Sequence, residues 1–372
     1  MKVLIYILLI VLVTSCNKII DISDKTLYSD LDHYQSIPTE RLFSKIEIIP
    51  LETNEQSLIQ RISKVIEYNS CLYILDSRQK AILIFDKTGK FISKIHTVGR
   101  APSEYSLLYD IAINTYSETL DALDPMGKII TYDLKGNYIS SIYLPHPPMA
   151  YHLISILNKD SILLHTEPYI TTDYTFRIFS RKADSITKQF YKQQEFIAWN
   201  IKGPLQVYKD YSQAIHNEVY KIINDSLYLA YSWNFGKYSY DINQMQLPDL
   251  TDPTKQMKFY KEVMYSSKIP YTFSFSGQND KYYYCSIFMK EKMVHVFQDK
   301  MSKKDIVFST MEENIGIFPL SIDNEKIIGI TDDDWMPLSS LMNAKNANIS
   351  NQEILKELTD NSNPILVKYY FK

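Results

Sequence analysis

The chain is 372 residues long, with 40 basic and 43 acidic side chains and a formal net charge of −3. The two signs are interspersed without a stripe dense in Lys and Arg, which argues against nucleic acid as a partner. The length exceeds one ordinary compact core and suits a single domain built from repeated modules.

The amino terminus reads as an export signal. Met1-Lys2 precedes an apolar run from Val3 to Val13, and Thr14-Ser15-Cys16 follows it. That is the shape of a secretory signal with an apolar core of roughly 7–15 residues, and a spanning helix would need about 20. Val13-Thr14-Ser15-Cys16 resembles the lipobox of lipoprotein signal peptidase, with Val13 where Leu is usual. Residues 1–15 are then the signal peptide, and Cys16 is the lipidated first mature residue. Several acyl chains on one cysteine hold a protein to a bilayer where one chain would not. Asn17 replaces the Asp that often retains such proteins at the inner membrane, and Asn17-Lys18-Ile19-Ile20-Asp21 is no tight acidic cluster. The expected address is the outer membrane, on its periplasmic side, with the cell surface as the alternative. Residues 16–42, polar and weakly patterned, read as a tether.

From Phe43 the chain is strand-like and repetitive. Leu72-Tyr73-Ile74-Leu75-Asp76 and Leu120-Asp121-Ala122-Leu123-Asp124 each lead into a hairpin of the form Asp-x-x-Gly. Asp86 and Asp133, Gly89 and Gly136, and Ile95 and Ile142 are each 47 residues apart. Glycine supplies the positive φ such turns require. The aromatic near the end of each third strand recurs at Phe85, Tyr132, Phe179, Tyr220, Phe297 and Tyr370. The last two intervals are longer and hold helical insertions, one starting at Asp252-Pro253 and running to Met264, the other from Trp335 to Leu358. Six units of four short strands predict an all-β fold, a six-bladed β-propeller over residues 43–372. The unbroken apolar run Ala81–Phe85 fits a strand covered on both faces by neighbouring blades. Blade six lacks a strand, and Phe43–Pro50 is expected to supply it and close the ring. Cys71 and Cys285 fall on blades one and five, too far apart to pair, and are expected to be buried free thiols.

Three segments resemble a family of six-bladed β-propeller lipoproteins from Gram-negative gut bacteria, mostly of unassigned function. Gly99-Arg100-Ala101-Pro102-Ser103-Glu104-Tyr105 resembles that family's Gly-x-Gly-Pro-Gly-Glu-Tyr/Phe linker, with Ala101 and Ser103 in place of two glycines. Asn217-Glu218-Val219-Tyr220-Lys221-Ile222, leading to Phe235-Gly236-Lys237, is the second segment. Asn363-Pro364-Ile365-Leu366-Val367 is the third. The resemblance implies a fold and an extracytoplasmic location, and little about chemistry.

No catalytic constellation stands out. The seven histidines (His33, His96, His146, His152, His165, His216 and His295) form no close-spaced metal pair. There is no Gly-x-Ser-x-Gly elbow. Asp332-Asp333-Asp334-Trp335 has carboxylates suited to calcium but lacks the Asp-x-Asp-x-Asp-Gly spacing, and reads as a solvated turn ahead of a helix. No metal site and no cofactor is expected. The 30 tyrosines suit sugar stacking, or reflect a chain rich throughout in Ile, Lys, Asn and Tyr. The candidate ligand-binding residues are Arg100, Glu104 and Tyr105 of the first linker, and Trp335, where polar groups would stand beside aromatic walls. The competing structural reading has Glu104 accepting backbone amides and Arg100 packing on the fold. The expected function is a binding or scaffolding module for a carbohydrate, peptide or protein, held to a membrane through the lipid anchor. The alternative is a calcium-dependent lactonase-like hydrolase, whose central ion would polarise a carbonyl. Fold alone does not decide between them.

Overall fold

The computed structural model describes residues 26–32, 34–145, 151–166, 174–192, 211–212, 217–223, 225–240, 254–255, 258, 269–331, 336–359 and 361–372. The first strands are β1 (Thr26–Tyr28) and β2 (Phe43–Pro50). Blade one comprises β3 (Ile62–Tyr68), β4 (Cys71–Asp76), β5 (Ala81–Asp86) and β6 (Phe91–Ile95). Blade two comprises β7 (Asp110–Asn114), β8 (Thr119–Asp124), β9 (Lys128–Asp133) and β10 (Tyr138–Tyr143). Blade three comprises β11 (Tyr151–Ile156), β12 (Ser161–Thr166), β13 (Tyr174–Ser180) and β14 (Ser185–Lys192). Blade four contains β15 (Tyr211–Ser212), β16 (Glu218–Ile223) and β17 (Ser226–Asn234). Blade five contains β18 (Thr272–Gln278), β19 (Tyr282–Met289), β20 (Lys292–Asp299) and β21 (Asp305–Phe308). Blade six contains β22 (Pro319–Ile322), β23 (Lys326–Ile330), β24 (Ile349–Ser350) and β25 (Ile365–Phe371). Apart from β1 and β24, successive strands of a blade are antiparallel neighbours, and the six sheets make a six-bladed β-propeller.

Burial explains why these strands read as they do. Ile82 and Ile84 of β5 pack with Ile111, Ile130 and Tyr132 of blade two. Ala81, Leu83 and Phe85 turn the other way, onto Ile328 and Leu366 of blade six. A period-two strand with both faces covered has no position for a polar side chain, hence the unbroken apolar run. The buried apolar side chains described fall into six clusters, one at each junction between neighbouring blades.

Closure takes place as the sequence predicts. β2 pairs antiparallel with β25 from Phe43↔Phe371 to Pro50↔Ile365. Gly89, at φ +90, packs so closely on this strand that a Cβ there would lie 2.0 Å from the Pro50 carbonyl oxygen. The expected Asp-x-x-Gly turns are present: Asp86 Oδ1 accepts the amides of Thr88 and Lys90, and Asp133 Oδ1 those of Lys135 and Asn137. Blade five makes a turn one residue longer and without glycine, placing Lys303 at φ 59. In blade six the residue matching Phe85 in register is Phe371, one place beyond the expected Tyr370. Within the second insertion lie α1 (Leu338–Asn343) and a 3-10 turn at Gln352–Glu357. The first insertion falls outside the described residues except for Thr254, Lys255 and Lys258, which are helical. Cys285 is buried and Cys71 half-buried, both as free thiols.

Ion pairs tie blades together inside these apolar junctions. Lys64 of β3 lies 2.8 Å from Asp110 of β7, whose other oxygen accepts the Ile154 amide of β11. Glu67 of β3 reaches Lys326 and Lys368 of blade six. Asp121 of β8 is wholly buried, bound by Arg181 of blade three and by the Thr131 hydroxyl. Burial pushes the Asp121 carboxyl up against the pull of Arg181. Arg181→Ala, which strands that carboxylate, is expected to destabilise the fold by about 3 kcal/mol, whereas the double replacement Asp121→Leu with Arg181→Leu should recover most of the loss. Urea titrations that place the single and double variants at the same stability would contradict this.

One expectation is corrected. The segment taken as a tether to residue 42 is part of the propeller from Thr26. β1 pairs in parallel with β17, Thr26↔Ser232 to Tyr28↔Asn234, and forms the edge of blade four. The Ser29 amide continues the ladder to the Asn234 carbonyl, and Gln298 of blade five donates to the Tyr28 carbonyl at 2.9 Å. Leu27 and Leu31 are buried with Trp233 and Phe235. Asp32 holds Lys237 at 2.6 Å and the Tyr238 hydroxyl. Further on, Thr39 is bound by Glu313, and the Ile37 carbonyl accepts the Glu312 amide. The strap thus runs from blade four past blade five into β2.

Candidate functional site

The linker from Ile95 to Asp110 passes from the outer strand of blade one to the inner strand of blade two. Its shape follows from where its polar groups go. The Gly99 amide bonds the Tyr105 carbonyl and the Tyr105 amide bonds the Thr97 carbonyl, closing a tight loop. Glu104 Oε2 accepts the Ala101 amide at 2.9 Å and lies against the Gly99 Cα, where a Cβ would meet it at 1.9 Å. A side chain there would push the Glu104 carboxylate off the loop, so glycine is favoured by close approach rather than by φ. Tyr105 is wholly buried and donates its hydroxyl to the Lys80 carbonyl of blade one at 2.8 Å. Burial raises that phenol far above its ordinary pKa.

The second-strand aspartates noted in the repeat hold these linkers in place. Asp124, at the end of β8, accepts the Ser106 amide at 2.7 Å and the amide of Met126 in its own turn. Asp76, in the same position of blade one, accepts the Gln60 amide from the preceding linker. Lys128, at the start of β9, donates to the carbonyls of Ala101 and Glu104 from beneath the loop. A lysine opening the apolar strand Lys128-Ile129-Ile130 was the sequence signal for this role.

Of the four candidate residues, three lie in this loop. Arg100 is exposed at its crest. Glu104 is committed to the loop, as the structural reading has it. Tyr105 has no exposed face and no wall to offer a ligand, because its ring fills the junction between blades one and two. Trp335, with Asp332 to Asp334, lies outside the described residues, so it is not placed relative to the linker.

The structure adds apolar groups that the sequence reading missed. Val98 in the linker is exposed, and so is Met126 in the Pro125-Met126-Gly127 turn that Asp124 ties to the same linker. An apolar residue at the tip of a turn, where a polar one is usual, was the available signal. Pro102 and Ala101 are also exposed. Among the described residues no three His, Cys, Asp or Glu side chains converge as metal ligands. His165 and His295 are buried. A separate cleft of about 250 Å³ lies beside blade six, between Thr39, Lys45, Asn346, Asn348 and Lys372.

Residues 18–370 match a family described as a domain of unknown function, DUF4934. Among solved structures, the chain resembles a protein described as exported from Bacteroides fragilis NCTC 9343, at 17% identity and TM-score 0.68. That match covers 94% of this chain and 100% of the other. It also resembles a DUF4221-family member from Bacteroides vulgatus ATCC 8482, at 11% identity and TM-score 0.54, covering 89% and 97%. At these identities the likeness concerns the fold alone. Among curated proteins none matches this chain.

Proposed function

The chain belongs to the DUF4934 family, and from that premise we propose that it is a lipid-anchored binding or scaffolding propeller that recognises its partner on the linker face beside blade two. The observation carrying this reading is the contrast across the linker and the β8–β9 turn tied to it. Glu104, Asp124 and Lys128 are consumed in holding the backbone, while Val98, Arg100 and Met126 stand in solvent on that rigid support. Exposed apolar side chains and an arginine, on preorganised turns, suit recognition of a peptide, protein or carbohydrate. No described set of side chains supports a hydrolytic step.

Anchoring through Cys16 belongs to the same proposal. Nine residues lie between Cys16 and Thr26, so the edge of blade four would stay within about 35 Å of the bilayer. The periplasmic side of an outer membrane fits the residues after Cys16. Fractionation of Cys16→Ser, expected to leave the membrane or remain unprocessed, tests the anchor; normal processing and sedimentation with membranes would refute it.

The recognition surface is tested by screening residues 17–372 against glycan and peptide arrays and then measuring variants. Arg100→Ala and Met126→Ala should each weaken a hit about tenfold with little change in melting temperature. Trp335→Ala, carried over from the sequence, belongs in the same series. Unchanged affinity in Arg100→Ala and Met126→Ala would remove the linker from the binding site.

A further inference from the structure

The outer strands of five blades share one irregularity, absent from β21 of blade five. A bulge falls at Ser44 in β2, Ile92 in β6, Ile139 in β10, Thr187 in β14 and Ala230 in β17. Two of these edges nevertheless take a further strand, in parallel and just past the bulge. β17 takes β1 at Ser232–Asn234, and β2 takes β24 at Ile46–Glu47. The bulge therefore leaves the edge able to pair.

Uncovered edges invite association, and charge is the usual protection. Among the described outer strands without such a cover, β6 carries Lys94, β14 carries Lys188, and β21 carries Asp305. β10, Tyr138-Ile139-Ser140-Ser141-Ile142-Tyr143, has neither charge nor proline, and it reads the same in both directions. Tyr138 is 43% exposed, Ile139 51% and Tyr143 65%. Among the described residues no backbone group of β10 bonds beyond its own blade.

We propose that β10 pairs antiparallel with β10 of a second copy, about a two-fold axis between Ser140 and Ser141. A two-fold contact sets a surface against its own image, so any charge near the axis meets a like charge. Among the described residues, β10 alone of the uncovered edges meets that electrostatic condition. In this register Tyr138 faces Tyr143, Ile139 faces Ile142 and Ser140 faces Ser141 of the second copy. The pairing joins two blades into one continuous sheet. A pair of six-residue strands buries less than the roughly 1,600 Å² of a standard interface, which makes the dimer a weak one in solution. The proposal does not depend on the partner site or on the lipid.

Sedimentation velocity of residues 17–372, which contain every described strand, provides the test. A reversible monomer–dimer equilibrium is expected between about 1 and 200 μM. Ile139→Lys should raise the dimer dissociation constant about tenfold or more, because the two-fold doubles the introduced charge. Ile92→Lys, at the matching bulge of blade one and equally exposed at 51%, should change it less than about twofold. Tyr138→Lys repeats the first measurement if Ile139→Lys lowers the melting temperature. A monomer at every concentration overturns the proposal. So does a dimer indifferent to Ile139→Lys and Tyr138→Lys, or one weakened equally by Ile92→Lys.

Discussion

Starting the chain at His33 is expected to lower the melting temperature by about 5 °C, although the residues removed look like a dispensable leader. The argument rests on what β1 covers. Leu27 and Leu31 are buried against Trp233 and Phe235, and full burial of each leucine is worth about 1.5–3 kcal/mol. The edge hydrogen bonds to β17 and the contact with Gln298 are lost with them. Ordering the strap opposes part of this gain, which leaves a net loss of about 4 kcal/mol. At the usual entropy per residue, a chain of this size shifts by a degree or two for each kcal/mol. Leu27→Ala should account for about half the loss, and Tyr28→Ala, whose side chain is exposed, for little of it. A truncated protein that melts with the intact one would return residues 26–32 to a tether.

The contrast between β1 and β2 shows what a sequence makes legible here. β2 is eight residues of alternating apolar character, and its partner blade was visibly short of a strand. β1 is three residues, Thr26-Leu27-Tyr28, inside a polar stretch, and its partner lies some two hundred residues away. Nothing local marks so short an edge strand, because its stability comes from tertiary contacts that it borrows from blades four and five. The repeat was legible for the opposite reason: in blades one and two a hairpin aspartate and a glycine at φ near +90 are demanded by turn geometry, and they recur at a fixed spacing. The candidate site was legible in position but not in role. Glu104 and Tyr105 belong to a recognisable linker, yet whether such groups face a ligand or the fold depends on neighbours such as Gly99, Lys80 and Lys128. Met126 has no such linker signal because it belongs to a different turn, brought to the linker by the Asp124 carboxylate and the Lys128 ammonium.

Mild acid should destabilise the propeller well before its carboxylates are protonated. Two histidines are wholly buried, His165 in β12 and His295 in β20, and burial pushes both down from 6.5 to about 3, His152 adding to the effect at His165. The His295 ring is held by the Tyr284 hydroxyl at 3.0 Å and packs beside Phe308, surroundings that accept imidazole and not imidazolium. The sign follows from proton binding. Above pH 6.5 both histidines are neutral in folded and unfolded chains and contribute nothing to the pH dependence. Below it the unfolded chain takes up protons that the folded chain refuses, so stability is lost as pH falls towards 3. Each histidine withdraws about 1.4 kcal/mol per pH unit in that window, or about 5 kcal/mol for the pair between pH 6.5 and 4.5. The turn carboxylates of Asp86, Asp133 and Asp299, lowered by their hydrogen bonds, act in the same direction only below about pH 4, where their unfolded counterparts titrate. Asp121 and Asp305, raised by burial, act in the opposite direction as they take up protons first. Urea titrations from pH 7.5 to 4.5 should therefore fall steeply below 6.5. His295→Gln, which keeps an acceptor for Tyr284, and His165→Phe should each remove about half of that slope. Parallel curves for the variants and the parent protein would assign the acid sensitivity to other groups.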